Sequence, residues 1–461
     1  MKLNPPYIKI LLLTAISGTL AFLGFSSGFT SAQSLTIFVF LFSILGTLCF
    51  WDLRVSLVFL GSGILFLTRS VDIESFIKFA SLDVILFLIG MMISVAVVRE
   101  SGVFRIFVQL VLRIKRMNGV KLFILLGIIS AIFSALMGEV ASILLMAAMV
   151  FDVCKSLKVK SAPLIIFSVL ATNIGSASTL LGNPVGVLLA LRGGLSFEDF
   201  LSFAFPVSLI ILLVSIAILL LWYRQYVKEI SSKLALKDNL AIAGSYVLDK
   251  KARASIAVFL LMLLSIAFHK RIEIMFGLEN NGALIIAPVI FAGILMMMRK
   301  DRALFFVEHG VDWASILFFI FLFAQTGVIQ ASGVGQLLAE RIAATLGTHP
   351  KVLSAAVLFS SGFLSSILDN TVVVASYIPV VQDLQHMHIN LKALWWCILF
   401  GACYGGNITV IGSTANIVAL GALEREEGVK VNFVEWFKIG LIVGVISMAI
   451  AYLAVVYFVR L

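Results

Sequence analysis

Charge is scarce in this chain: Asp, Glu, Lys and Arg make up 13% of its 461 residues, where soluble domains carry about 25%. That scarcity excludes a water-facing surface over most of the molecule. Cysteine is also rare. Cys49, Cys154, Cys397 and Cys403 each lie in or beside an apolar run, with no CxxC pair and no cysteine–histidine spacing, so they read as small buried residues. His386 and His388 form an HxH without a third ligand close in sequence, which does not specify a metal site. There is no HExxH, which excludes that type of zinc protease, and no P-loop, so ATP could enter only through a partner. Asp369 sits in neither a YD nor a GxGD context and has no central aspartate partner, which argues against an intramembrane aspartyl protease. The chain reads as a non-enzyme without a cofactor. The net charge of +10 comes without any interleaved basic–aromatic surface, so it does not indicate nucleic acid.

What fills the space is apolar. Hydrophobic residues make up 61% of the chain and the mean hydropathy is +1.12. The length suffices for roughly ten to twelve spans of about 20 residues. Apolar runs mark spans near 8–29, 35–51, 54–69, 84–98, 203–224, 253–269, 282–298, 313–330 and 438–459, and four more complex segments remain: 120–154, 163–192, 351–384 and 393–426. Lys2, Lys9 and the small residues Ser31-Ala32 resemble a signal peptide, but the run from Ile8 to Phe29 is long for one and is expected to stay as an uncleaved first helix. The expected organisation is an N-terminal helix over 1–34, a first repeat over 35–224, a cytoplasmic linker over 225–252 and a second repeat over 253–461. If 120–154 and 351–384 enter and return on one side, 25 of the 34 lysines and arginines fall on the side of the N-terminus. The positive-inside bias then predicts about eleven crossings with the N-terminus in the cytoplasm.

The repeat rests on three matches in register. Ser101-Gly102-Val103 recurs as Ser332-Gly333-Val334, and GIISAIFSALMGEVAS (127–142) aligns with FSSGFLSSILDNTVVV (358–373), both at an offset of 231. TLLGNPVG (179–186) aligns with TVIGSTAN (409–416) at an offset of 230. An odd number of crossings between the copies inverts the second, as in secondary transporters whose site lies near the bilayer midplane.

Two kinds of interrupted element follow. Residues 163–192 would form a helix of about 45 Å if continuous, yet Gly182-Asn183-Pro184 falls in the middle and proline cannot continue the hydrogen-bond ladder. The mate carries Gly412-Ser413-Thr414-Ala415-Asn416 after an arm holding Asn407 and Thr409. Unwound backbone at membrane depth needs protein or a cavity around it, and freed carbonyls and amides can bind ions. The segments 120–154 and 351–384 have short apolar arms around polar tips, Gly138-Glu139 and Asp369-Asn370-Thr371, and are expected to be re-entrant hairpins. Ionisable groups at that depth are functional candidates. Asp83 and Asp312, which begin apolar runs, are expected to cap helices, and Glu198-Asp199 and Glu435 to sit in interfacial connectors. The runs 102–116 and 333–346 are expected to be helices along the membrane surface. Arg192, near a membrane edge, could meet an anion at an entrance.

LSSILDNTVVVASYIP (364–379), NIGSASTLLGNPVG (173–186), GGNITVIGSTANIVA (405–419) and the segment Asp83-VILFLIGMMISVAVVRESGVF resemble the motifs of arsenite-pump and NhaD-type permeases. The likeness runs over 35–459, within an ion transporter superfamily that includes the melanosomal P protein, citrate carriers and divalent-anion/sodium symporters. The resemblance implies an all-α polytopic protein with two inverted repeats, two re-entrant hairpins and two broken helices. It also implies a moving transport domain against a scaffold, and often a homodimer working as an elevator. By the same resemblance, Asp369, Asn370, Thr371, Thr409, Gly412 and Asn416 line one half-site, and Thr179, Gly182, Asn183 and Pro184 the other. Glu139, Ser142, Asn173, Asn407 and Ser413 complete the candidate set, with a possible sodium near Asp369, Asn370 and Gly412. This chain departs from the pattern at Gly138-Glu139, where relatives carry asparagine or an aspartate–asparagine pair, and at Gly186, where asparagine is common; Glu139 could instead carry a proton. The expected function is secondary transport of a small inorganic ion or oxyanion coupled to protons or sodium in a bacterial cytoplasmic membrane, with a sodium-coupled dicarboxylate or citrate symporter as the alternative.

Overall fold

In the computed structural model the described residues are 6–102, 117–236, 249–347, 349–387 and 391–459, and among them all regular structure is helical. Eight of these helices are long and apolar enough to cross a membrane, or eleven if each of three sharply bent pairs counts as one span. The exposed faces are themselves apolar: on Phe197–Trp222, Leu209, Ile210, Leu213 and Leu221 point outward while Ile211, Leu212 and Leu219 are buried. Such a helix is solvated by lipid on one side and by protein on the other.

The two halves run through the same elements. The first has Leu82–Glu100, the hairpin arms Gly119–Met137 and Glu139–Leu157, the broken pair Ala162–Ser176 and Pro184–Gly193, and then Phe197–Trp222. The second has Trp313–Ala331, Val334–Leu346, the arms Pro350–Ser365 and Asn370–Asp383, the broken pair Leu391–Gly405 and Thr414–Glu427, and then Phe433–Phe458. Residues 103–116, expected as a surface helix, lie outside the described set, as does His388 of the HxH, and so do 237–248 of the expected linker. The first part of that linker is the helix Arg224–Leu236.

Contacts between connectors support the expected grouping of loops. Arg302 pairs with Glu100 at 2.6 Å, Ser231 Oγ accepts from Gly119 N at 2.9 Å, and Lys233 donates to Lys158 O at 2.6 Å. On the opposite side Lys392 pairs with Asp199 at 2.8 Å, Arg192 with Asp83 at 3.0 Å, and Gln33 donates to Ser332 O at 2.9 Å. Every one of these joins two loops assigned to the same side by charge counting.

Each hairpin's first arm crosses the first half of its broken helix at a glycine. A Cβ on Gly175 would lie 2.3 Å from Ala131 O, and one on Gly405 would lie 2.2 Å from Gly362 O. Small residues at such crossings let backbones approach, the main route to tight helix packing in lipid.

Three expectations are corrected. The arms of the first hairpin are not short: each is 19 residues, about 28 Å, because they run past the apolar zone to Asn118, Lys121 and Lys155. Asp83 does not cap its helix, whose cap position is Ser81; it sits in the first turn and pairs with Arg192, whereas Asp312 does cap, accepting from Ser315 N at 3.1 Å. Glu198-Asp199 and Glu435 belong to the first turns of the last helix of each half, Asp199 completing a capping box with Ser196.

Candidate functional site

Both broken helices come apart over matching stretches and restart the same way. Between Ser176 and Pro184 the chain unwinds, and Pro184 opens the new helix at a position where its missing N–H costs nothing, with Asn183 capping Gly186 N at 3.0 Å. In the mate, Ser413 caps Ala415 N at 3.1 Å. Thr179 and Thr409 clamp these breaks alike: each hydroxyl donates to a hairpin carbonyl, Ala135 O and Ser366 O, and accepts from the amide two residues on, Leu181 N at 3.2 Å and Ile411 N at 3.3 Å. Gly182 and Gly412 pass so close to backbone that a Cβ would lie 2.1 Å from Ser176 O and 2.6 Å from Gly406 O. The breaks are therefore built features, seated against the hairpin tips.

The tips dock on the breaks. Glu139 N donates to Gly182 O at 3.0 Å, and Asn370, with its amide oriented to satisfy its neighbours, donates to Gly412 O at 3.0 Å. Gly138 turns the first tip with φ at 88°, a conformation that suits glycine. Asp369 at the second tip has an ordinary φ of −60° and instead caps two helices. It accepts from Thr371 N at 3.0 Å with Oδ1, and from Thr414 Oγ1 at 2.6 Å and Thr414 N at 3.3 Å with Oδ2.

Between the tips lies a buried amide network joining the halves. Asn173 Nδ2 donates to Asn407 Oδ1 at 2.8 Å and to Asn416 Oδ1 at 2.9 Å, while Asn173 Oδ1 accepts from Ser413 Oγ at 3.3 Å. Asn416 Nδ2 in turn donates to Gly406 O and Thr409 O, both at 2.8 Å, which pins the unwound strand. Ser413 Oγ also lies 3.4 Å from Glu139 Oε1. Glu139 is buried at 6% exposure, and its Oε2 has no hydrogen-bond partner among the described residues; Asn407 Nδ2 is the other such atom in the network. A buried polar atom left unpaired costs about 1–3 kcal/mol, so both mark places where a bound species would be welcome.

Of the candidates, Glu139, Asn173, Asn183, Asp369, Asn407, Ser413 and Asn416 thus converge. Thr179, Gly182, Pro184, Asn370, Thr409 and Gly412 shape the backbone around them, and Thr371 contributes its N–H. Ser142 does not join the cluster: its hydroxyl donates to Ser130 O across its own hairpin. Sequence reasoning missed Thr414, the main partner of Asp369, and the pair Ser176 and Cys403, both within reach of Asn183 Nδ2 at 3.0 and 3.1 Å. Thr414 lies within Gly412-Ser413-Thr414-Ala415-Asn416, whereas Cys403 reads as a small apolar residue.

The glycine at 186 has a physical reason. A Cβ there would lie 2.8 Å from both Leu180 Cα and Leu180 O, so the asparagine that serves at 416 cannot fit. Gly186→Asn is expected to lower stability by about 2 kcal/mol or more, read as a fall in melting temperature of the purified protein; an unchanged melt would contradict the packing described.

A cavity of about 280 Å³ leads to this cluster. Glu139, Asn183, Asp369, Thr371 and Thr414 line its inner end, Phe87, Met91 and Phe319 its apolar wall, and the exposed Arg99, His309 and Asp312 its mouth. Arg192 is not at that mouth: on the other side its guanidinium donates to Ser81 Oγ and Asp83 Oδ1, and it lines two separate surface pockets there.

Residues 37–401 and 275–460 match a family described as citrate transporter. Among similar curated proteins, a 46 kDa membrane protein of Mycobacterium leprae is 31% identical over 80% of this chain and 84% of that one, and an uncharacterised transporter of Mycobacterium tuberculosis 32% identical over 82% and 87%. The human P protein is 26% identical over 81% of this chain and 53% of its own length. The fold is shared with the YdaH transporter of Alcanivorax borkumensis, at a TM-score of 0.54 and 18% identity over 86% of this chain and 88% of that one.

Proposed function

This chain belongs to the citrate transporter family, and from that premise we propose that it is a secondary carrier exchanging a small ion against protons or sodium at Glu139. It is a membrane transporter by family. The observation that carries the finer reading is a buried carboxyl with one unpartnered oxygen, placed where helix ends from both halves meet and where a cavity ends. A carboxyl so placed can trade a proton for a cation without moving any backbone. Asp369, near which the resemblance places a sodium, already uses both oxygens to tie a hairpin tip to a broken helix. Its role in the proposal is to hold the two together. The hairpins and broken helices would move as one body against Leu82–Glu100 and Trp313–Ala331, in an elevator-like cycle. The protein would work as a homodimer in a bacterial cytoplasmic membrane with its N-terminus inside, as its loop charges favour.

Gradient-driven uptake in proteoliposomes without ATP tests this reading. Sodium, lithium and proton fluxes should depend on Glu139; failure to carry any ion down an imposed gradient would remove it. Asp369→Asn is expected to lower both flux and melting temperature, since an amide nitrogen cannot accept from Thr414 and leaves donors unpaired at a cost of about 1–3 kcal/mol. A variant with wild-type melting and no flux would instead make Asp369 the exchanging group.

A second reading, a cation-coupled carrier of citrate or another carboxylate, is favoured by the family match. Such an anion would face Glu139 and Asp369, while the basic side chains Arg99 and His309 stand exposed at the mouth. Coupling cations would therefore have to sit between cargo and carboxyls. Citrate uptake that requires sodium or protons would support it.

A further inference from the structure

The halves are built alike but do not sit alike. On one side Pro184–Gly193 packs on Leu82–Glu100. Across that contact Arg192 Nη2 donates to Ser81 Oγ at 2.8 Å and to Asp83 Oδ1 at 3.0 Å, each charged side chain about one-third exposed at 32% and 31%. On the other side the matching helices, Thr414–Glu427 and Trp313–Ala331, have the cavity between them: Thr414 lines one wall, Asp312, Ser315 and Phe319 the other. At the offsets of the repeat Ser81, the other partner of Arg192, falls on Asp312, both being the cap positions of matching helices, and Arg192 falls on Ala422 in the last turns of Thr414–Glu427, three residues before Arg425. Among the described residues Asp312 accepts only from Ser315, Arg425 Nε donates to Gly421 O of its own helix at 3.2 Å, and neither has an ion-pair partner.

We propose that these are two alternating latches. Asp83–Arg192 holds one side closed in the conformation described, and Asp312–Arg425 closes the other side after the hairpins and broken helices have moved. The proposal rests on the carrier reading and names the residues that position its moving body. In inverted repeats the two access states exchange the roles of the halves, so a contact made in one half identifies the contact absent from the other. Partly exposed ion pairs are weak enough to open in every cycle. Their positions at the outer ends of the helices, away from Glu139, make them positioning residues and not part of the ion site.

Cross-linking tests it independently of cargo. Asp83→Cys with Arg192→Cys, and separately Asp312→Cys with Arg425→Cys, would be treated in proteoliposomes with a short bis-methanethiosulfonate reagent, and bridged peptides quantified by mass spectrometry. The first pair should bridge in most molecules. The second should bridge in a minority that rises about threefold or more when Asp83→Asn weakens the first latch. In a chain with all four cysteines the two bridges should exclude each other. Both bridges in one molecule, or no bridging of the second pair in the Asp83→Asn background, would overturn the proposal. Should the cysteine chains misfold, Asp312→Arg should slow flux about threefold and the added Arg425→Asp should return it to within about twofold; additive losses would also overturn it. Exclusive bridging without flux of any tested ion would fault the carrier reading alone, and normal flux without bridging would fault the latches alone.

Discussion

Glu139→Gln is expected to abolish ion-coupled flux while leaving the fold intact. The substitution keeps shape and volume but removes the group that can hold a cation or release a proton. Losing a charge-assisted contact costs about 3 kcal/mol of ion affinity, roughly a hundredfold. The neighbouring structure does not depend on the charge: the Glu139 N–H still meets Gly182 O, and Ser413 can still donate to an amide oxygen. Gradient-driven flux in proteoliposomes, paired with the melting temperature of the same preparation, separates the two effects. Coupled flux near wild type would remove Glu139 from the cycle. A collapse in melting temperature would make it a structural residue instead. The contrast with Asp369→Asn, expected to affect both readouts, follows from where the oxygens of each carboxyl are committed.

Gly405→Ala is expected to unfold the second half or destabilise it by about 3 kcal/mol or more. The new Cβ would lie 2.2 Å from Gly362 O and 2.4 Å from Gly362 Cα, and both obstacles are backbone. Overpacking ordinarily costs about 1–3 kcal/mol because side chains can yield; here two helices must separate at the crossing that seats the hairpin on the broken helix. Gly421→Ala is the control. It lies on the helix Thr414–Glu427, with nothing within 4 Å of its added Cβ, and should be neutral or gain about 0.5–1 kcal/mol from helix propensity. Equal melting temperatures for the two variants would contradict the close crossing.

Much of the fold was legible because lipid imposes a harsh code. Apolar runs, loop charges and a repeat offset of 230 or 231 carry the helix order and the grouping of loops, and the described contacts agree with that grouping. The breaks were legible because glycine and proline in the middle of an apolar run interrupt a helix that lipid would otherwise force to continue. Side-chain commitments were not legible. Asp369 and Glu139 look alike in sequence, yet only the fold brings Thr414 under one and leaves an oxygen of the other unpartnered. Asp83 reads as a cap because it begins an apolar run; its true partner, Arg192, lies 109 residues away. The full length of the first hairpin's arms is not legible because their outer turns carry charge, Lys121 and Lys155, that reads as connector. Gly186 looked like a departure, and the reason for it is a backbone approach from Leu180 that no single sequence displays.

The central claim is that residues from oppositely inserted halves form one functional site. A double-mutant cycle on gradient-driven flux tests it most directly, using Asn173→Ala from the first half and Asn416→Ala from the second, whose amides meet at 2.9 Å. A shared site predicts strong non-additivity, with the double variant scarcely slower than the worse single one. Losses that simply multiply would mean two independent elements, and would contradict the account.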